Sequence, residues 1–256
     1  MKIAGFQMQS TVGEVEANLA KIDAAAAKAA TQGVRLLIAP ELALTGYGAG
    51  ALFPALASPA DGPQTEQLSQ IARRHGLTLV AGFAEKDGET VYNSAFLTDG
   101  KGQTATYRKS HLYGPYERQW FRPETPSSIL AIIDGIRLGM LICYDVEFPE
   151  NVRRLAQAGA ELVVVPTALP SGWSGAFIAE HMIRVRAFEN QVFVAYINHC
   201  GADDRFAYAG LSRIAAPDGR LLAEAPAESE ALIVAEIDLG AFQTSRSENT
   251  YLADLR

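Results

Sequence analysis

Short apolar runs of β character alternate along the chain with longer stretches in which apolar residues recur every three or four positions. Lys2–Met8 (KIAGFQM) reads as a first strand. From Glu16 to Gln32, Leu19, Ile22, Ala26 and Ala29 fall on one face of a helix, with Gly33 as its stop. Val34–Ala39 (VRLLIA) is a strand apolar enough to be covered on both faces. Thr65–His75 is a helix closed by Gly76, and Leu77–Phe83 is a further strand. Gly88 and Asp99-Gly100 supply turn residues for two hairpins, the second leading into a strand at Thr104–Arg108. Ile136–Ile142 is a strand feeding a helix that starts near Pro149, a residue suited to a first helical turn. A strand at Glu161–Pro166, a helix at Ala176–Asn190 and a strand at Gln191–Ile197 follow. The end is β-rich, with a turn at Asp218-Gly219 and a polar tail from Gly240. No repeat, low-complexity segment or long linker divides this pattern. The expectation is one α/β domain over 1–256, a mixed sheet with helices on its faces.

Composition narrows the partners. Apolar residues make up 48% and charged residues 20% of the 256, as in ordinary globular proteins. A chain of this length buries enough surface to fold without disulfides. Net charge is −7 and no Lys/Arg run exceeds two residues, which argues against nucleic acid as a partner. Apolar runs such as LVVVP are too short to cross a bilayer, so no membrane role is expected. The opening MKIAGFQMQS turns polar too early for a signal peptide. Cys143 and Cys200 are the only cysteines. One disulfide between them is conceivable on paper, but a reducing cytoplasm is the expected location. There, an unpaired cysteine is often kept for its reactivity.

Three reactive residues each follow a different predicted strand: Glu41 after Val34–Ala39, Lys109 after Thr104–Arg108, and Cys143 after Ile136–Ile142. Ligands of α/β sheets gather outside the carboxyl ends of strands, so the three can share one cleft. A strand turning through Cys143-Tyr144-Asp145 into the Pro149 helix would place a thiol near a helix N-terminus, where thiolate is favoured. The plainer reading is a buried core cysteine. A thiol nucleophile needs a base. His75, His181 and His199 offer no evident pairing, and His111 serves equally well to brace a loop. A carboxylate takes that role when burial raises its pKa towards neutrality, and Glu41, behind an apolar strand and Pro40, is placed for it. Alone, it would read as a loop-surface glutamate. Lys109 with a backbone N–H such as that of Tyr144 would stabilise an oxyanion, a donor typically worth about 3–4 kcal/mol. Alone, it would read as a solvated charge.

These residues lie in motifs that resemble the nitrilase superfamily of carbon–nitrogen hydrolases: IAPELALTGY around Glu41, YRKSHLYG around Lys109 and LICYDVEFPE around Cys143. The similarity also takes in the opening KIAGFQMQ and RAFENQVFVAYIN (Arg186–Asn198), and so covers essentially the whole chain. The resemblance implies a four-layer α-β-β-α fold, with Glu41 as general base, Lys109 as oxyanion stabiliser and Cys143 as nucleophile. It implies a second glutamate in PYERQWF, Glu117, which helps to position substrate and attacking water. It implies no metal or organic cofactor. It also implies a homodimer or higher homo-oligomer, paired through helices beside the nucleophile segment, with C-terminal tails such as 240–256 crossing to the partner.

The run CYDVEFPE looks most like the amidase branch, including stereoselective amidases. Nitrilases in the strict sense usually carry a tryptophan and a glutamate directly after the cysteine, where this chain has Tyr144 and Asp145. D-carbamoylases and ω-amidases place arginine shortly after it to hold a substrate carboxylate, where this chain has Val146 and Glu147. The expected reaction is hydrolysis of a small carboxamide through a thioester. The alternatives are a nitrilase or N-carbamoyl amine hydrolase with the same site, or a binding protein on an inactive hydrolase fold. Tyr144, Glu147 and Trp173 are the candidate substrate contacts, the last in a loop at Ala168–Phe177 expected to line the pocket. Asp145 and Glu147 either repel anionic substrates or act as scaffold, Asp145 capping the Pro149 helix and Glu147 pairing with an arginine such as Arg153.

Overall fold

The apolar runs become strands because both of their faces are covered. A computed structural model describes residues 1–255. In order, its elements are β1 (Lys2–Gln7), α1 (Val15–Thr31), β2 (Leu36–Ile38), α2 (Phe53–Leu56), α3 (Pro63–His75), β3 (Thr78–Asp87), β4 (Thr90–Thr98), β5 (Thr104–Arg108) and α4 (Gly114–Trp120). The second half holds β6 (Leu130–Ile133), β7 (Ile136–Met140), α5 (Pro149–Gln157), β8 (Leu162–Thr167), α6 (Trp173–Phe177), α7 (Ile183–Asn190), β9 (Phe193–Asn198), β10 (Arg213–Ala215), β11 (Leu221–Glu224), β12 (Ala231–Glu236) and α8 (Gln243–Glu248).

Two six-stranded sheets result, ordered β12-β1-β2-β3-β4-β5 and β11-β10-β9-β8-β7-β6. Each has a parallel centre, β1-β2-β3 or β7-β8-β9, flanked by antiparallel strands. Ile3, Leu36, Ile38 and Val80 of the first sheet share one core with Val163, Val165, Ala195 and Ile197 of the second. On the outer face of the first sheet, Leu37, Leu79 and Ala81 meet Leu19, Ile22 and Ala26 of α1 and Leu68 and Ala72 of α3. Val152, Leu155, Ile183 and Ala187 cover the second sheet through α5 and α7. The four-layer α-β-β-α arrangement is therefore the observed one. Each fully buried Val, Leu or Ile contributes about 1.5–3 kcal/mol relative to exposure.

Several boundaries differ from the pattern's reading. β2 keeps only three residues, although Arg35 just before it still bonds the Lys2 carbonyl and the Thr78 N–H through its backbone while its side chain reaches Asp134. β3 runs on to Asp87 as one arm of a long hairpin with β4. The expected loop Ala168–Phe177 turns helical at Trp173, and α6 continues through a π-helical turn (Ile178–Met182) into α7. A 3₁₀ turn, Cys143–Glu147, separates β7 from α5. It is too short to show a periodicity. The described part of the tail, 240–255, lies against its own chain, where Ser245 bonds Gln191 and Tyr251 meets Phe188. Arg256, the last residue of the segment 240–256, lies outside the described residues. Among the described residues, no helix is long and apolar enough to cross a membrane.

The parallel centres point their carboxyl ends at one region. There the chain leaving β2 crosses close over β3, and Gly82 makes room for it. A Cβ on Gly82 would sit 2.3 Å from the Leu42 nitrogen and 2.6 Å from the Glu41 Cα. The Gly82 N–H instead donates to the Pro40 carbonyl at 3.0 Å. Side-chain-free backbone at this point sets where Glu41 stands.

Candidate active site

Glu41, Lys109, Glu117 and Cys143 converge in a region almost closed to solvent. The first three side chains are 0% exposed and Cys143 is 6% exposed. Glu41 arrives on the turn after β2, where the next residue, Leu42, has φ +49. Its carbonyl accepts a hydrogen bond from His199 Nε2 at 2.7 Å. Lys109 leaves β5 with its N–H on the Asn93 carbonyl at 2.8 Å. Its Nζ donates to Glu41 Oε1 at 2.6 Å and to Glu117 Oε1 at 2.7 Å. Glu117, in the first turn of α4, accepts from Tyr47 Oη at 2.8 Å and from the Tyr113 N–H at 2.9 Å.

Cys143 follows β7 with φ +44, a strained conformation for any residue but glycine. Strain of this kind costs of order 1–3 kcal/mol and persists where the surroundings over-determine it. The expected thiolate at a helix N-terminus is not what forms. The 3₁₀ turn separates Cys143 from α5. Burial, then Glu41, push the thiol well above its usual value, while Lys109 and the Ala168 N–H pull it back. The net direction disfavours the thiolate.

Glu41 is raised to about 7, chiefly by burial; Lys109 opposes the rise and the Glu117 charge adds to it. Burial alone would lower Lys109, but Glu117, Glu41 and Cys143 hold it well above its usual value. The site therefore pairs a permanent ammonium with a carboxylate that titrates near neutrality.

Asp145 takes neither of its expected roles. It is fully buried, and its carboxylate accepts from Tyr107 Oη (2.9 Å), Ser110 Oγ (2.8 Å), the His111 N–H (2.8 Å) and the Ile142 N–H (3.2 Å). These bonds tie the segment after Lys109 to the turn holding Cys143. Asp145 does not cap α5 and has no acceptor capacity left to face substrate. The expected Glu147–Arg153 pair does not form. Arg186 instead holds the Val146 and Glu147 carbonyls at 2.8 and 2.6 Å. The half-buried Glu147 carboxylate has no hydrogen-bond or ion-pair partner among the described residues.

The other two expected substrate contacts diverge. The Tyr144 side chain packs edge-on to Tyr113 and Phe148 and helps line a cavity of about 470 Å³ with Ser110 and His111. Trp173 is not brought into the cluster. It stands 79% exposed, stacked on Phe177.

Sequence reasoning missed Asn93, Tyr47 and His199. Asn93 Nδ2 donates to Glu41 Oε1 at 2.7 Å from within β4. An asparagine inside the strand run TVYNSAFLT, where that residue is depleted, was the available signal. Tyr47 and His199 gave none, because either reads equally well as a packed aromatic.

A family model described as carbon–nitrogen hydrolase matches residues 2–247. The chain is 42% identical over its full length to a Pseudomonas protegens protein, "Hydrolase in pqqF 5'region", covering 89% of that protein. It is 37% identical over its full length to an (R)-stereoselective amidase of a Pseudomonas species, covering 92% of it. Among solved structures, a mutant of the Nesterenkonia AN1 amidase from the nitrilase superfamily superposes with a TM-score of 0.89 at 35% identity, covering all of this chain and 95% of that one. Another structure of that amidase shows acrylamide added at its active-site cysteine.

Asp145→Ala should strip four donors of their acceptor and destabilise the protein by roughly 2–4 kcal/mol. Urea unfolding reads this directly, and an unchanged midpoint would remove Asp145 as the tie between the two segments.

Proposed function

We propose that this chain, which belongs to the carbon–nitrogen hydrolase family and hydrolyses carbon–nitrogen bonds other than peptide bonds, cleaves a small carboxamide to a carboxylic acid and ammonia through a thioester on Cys143. The observation that carries this reading is Lys109, shared between Glu41 and Glu117 beside a buried thiol. Two Lys109 donors are engaged by carboxylates, which leaves the third of its ammonium hydrogens for an oxyanion.

The steps use these groups in turn. Glu41, as carboxylate, takes the thiol proton while Sγ bonds to the amide carbon. The carbonyl oxygen becomes an oxyanion received by Lys109 and the Tyr144 N–H. Collapse breaks the C–N bond, Glu41 returns its proton to the departing nitrogen, and ammonia leaves. Glu41 then takes a proton from water, which Glu117 helps to place, as the water oxygen attacks the thioester carbon. Breaking the C–S bond frees the acid, and the proton on Glu41 returns to sulfur. The amidases among the similar proteins, at 37% and 35% identity, support an amide over a nitrile. A cytoplasmic location is consistent with Cys143 and Cys200 both being free thiols.

The Glu147 carboxylate is also pushed up to about 7, first by burial, with Lys109 and Arg186 opposing. Unpaired and half-buried four residues after the nucleophile, it opposes a second negative charge on the substrate. Neutral or amine-bearing carboxamides are thus preferred over ω-amides of dicarboxylic acids. On the outer layer, Val185 of α7, which packs beside α5, and Trp173 and Phe177 of α6 expose apolar surface, which supports pairing of two copies through these helices. Sedimentation showing only monomer would remove that pairing.

Across carboxamides, nitriles and carbamoyl amines, ammonia should come from carboxamides. Cys143→Ala should release none, Cys200→Ala should stay active, and Lys109→Ala should lose at least about 10²-fold in kcat. The value of kcat/KM should fall as pH drops through about 7, because protonated Glu41 cannot accept the thiol proton. Ammonia from nitriles alone would replace the amidase reading.

A neutral amide and its carboxylate-bearing analogue should differ in kcat/KM in favour of the neutral one, and Glu147→Arg should narrow or reverse the gap. The same ratio in both enzymes would leave Glu147 as scaffold.

A further inference from the structure

Glu41 has two carboxylate oxygens, and the structure treats them unequally. Oε1 accepts from both Lys109 Nζ (2.6 Å) and Asn93 Nδ2 (2.7 Å). Oε2 is buried and has no partner among the described residues. Buried carboxylate oxygens rarely stand without a donor, so the asymmetry calls for a cause. Lys109 cannot supply it alone, because its ammonium is a rotatable donor shared with Glu117. Asn93 can. It is fully buried in β4, opposite Ala84 in the ladder with β3, and its own carbonyl accepts the Lys109 N–H. Its amide is therefore set by the sheet, next to the strand that carries Lys109.

We infer that Asn93 is the positioning residue that commits Glu41 to Oε2 as its proton acceptor. By saturating Oε1 together with Lys109, it stops the carboxylate from rotating its oxygens between the two places. The free lone pairs then stay on the side left open for the Cys143 thiol. This rests on the proposed role of Glu41 as base, but it concerns the orientation of that base and not the bond that is cleaved.

The groups that bear on Glu41 come from every packed element: Lys109 after β5, Glu117 on α4, Cys143 after β7, the hydroxyls of Tyr47, Tyr196 and Tyr208, and His199 on its backbone carbonyl. Among the described residues, only Lys109 and Asn93 donate to its side chain. Losing the Asn93 donor removes a bond that favours the charged form, so the carboxylate should become a weaker acid.

The test uses alkylation of Cys143 by 2-chloroacetamide, followed by intact mass across pH. The S–C bond forms, chloride leaves with the C–Cl electron pair, and the thiol proton passes to Glu41, so no turnover is needed. In Asn93→Ala the midpoint of the rate should move up by about one pH unit, as expected for a lost charge-assisted hydrogen bond. The plateau should fall about tenfold. Asn93→Thr, whose hydroxyl is too short to reach Oε1 and which suits a strand, should behave alike if the alanine variant folds poorly. In a Glu41→Gln background neither substitution should slow alkylation further. A residue that only supported the fold would leave the midpoint in place and cost the same in both backgrounds, and that result overturns the inference. Wild-type alkylation with the expected Asn93 dependence but no ammonia from any carboxamide would instead sink the amidase reading and leave Asn93 in its role.

Discussion

A buried ammonium cannot be left alone, and in this protein the burial of Lys109 constrains almost everything around it. Removing an ion from water costs several kcal/mol even after the protein relaxes. Lys109 recovers that cost through two carboxylates, Glu41 and Glu117, that are themselves fully buried. The arrangement is closed in both directions. Removing Lys109 would strand two carboxylates at close range, and removing either glutamate would weaken the hold on the lysine. The excess of one negative charge is relieved by Glu41, which burial raises to about 7. The cluster thus sits near neutrality while keeping one group able to change its charge.

Such a cluster requires segments distant in sequence to end at one place, and the two-sheet plan meets that need. β2, β5 and β7 deliver Glu41, Lys109 and Cys143 at their carboxyl ends. Local backbone then does what side chains cannot. Gly82 lets the Glu41 turn lie against β3, while Leu42 and Cys143 adopt positive φ. Asp145 closes the last gap by binding the chain on both sides of the cleft. The parallel centre recurs in both sheets, yet the halves share no detectable repeat in sequence. The plan needs only apolar strands of suitable length, and many sequences satisfy that.

What was legible follows from this division. Strands buried on two faces announce themselves as apolar runs, and α3 ended at Gly76, which takes the left-handed conformation its position requires. Glu41, Lys109 and Cys143 were visible because each interrupts or follows such a run with a reactive group. The residues that orient them were not. Whether a polar side chain such as Asp145 faces substrate, caps a helix or ties two loops depends on which segments lie beside it, and local pattern carries no record of that. Trp173 was misplaced for the same reason: an aromatic residue beside glycines reads as a loop, whereas the structure makes it the exposed start of α6.

The proposed choice of a carboxylate over an imidazole as base also fits the dry setting. When a neutral histidine takes a proton from a neutral thiol, it creates two opposite charges, and in a low-dielectric cavity that separation is costly. In the proposed step, in which Glu41 takes the proton from Cys143, no charge is created. One negative charge moves from oxygen to sulfur, and Lys109 acts on both positions, lowering the thiol as it lowers the carboxyl. The same burial that raises the thiol also raises Glu41. Their proton affinities therefore climb together, and transfer between them does not become prohibitive. A histidine among these contacts is used elsewhere: His199 bonds the Glu41 carbonyl and so holds the proposed base in place.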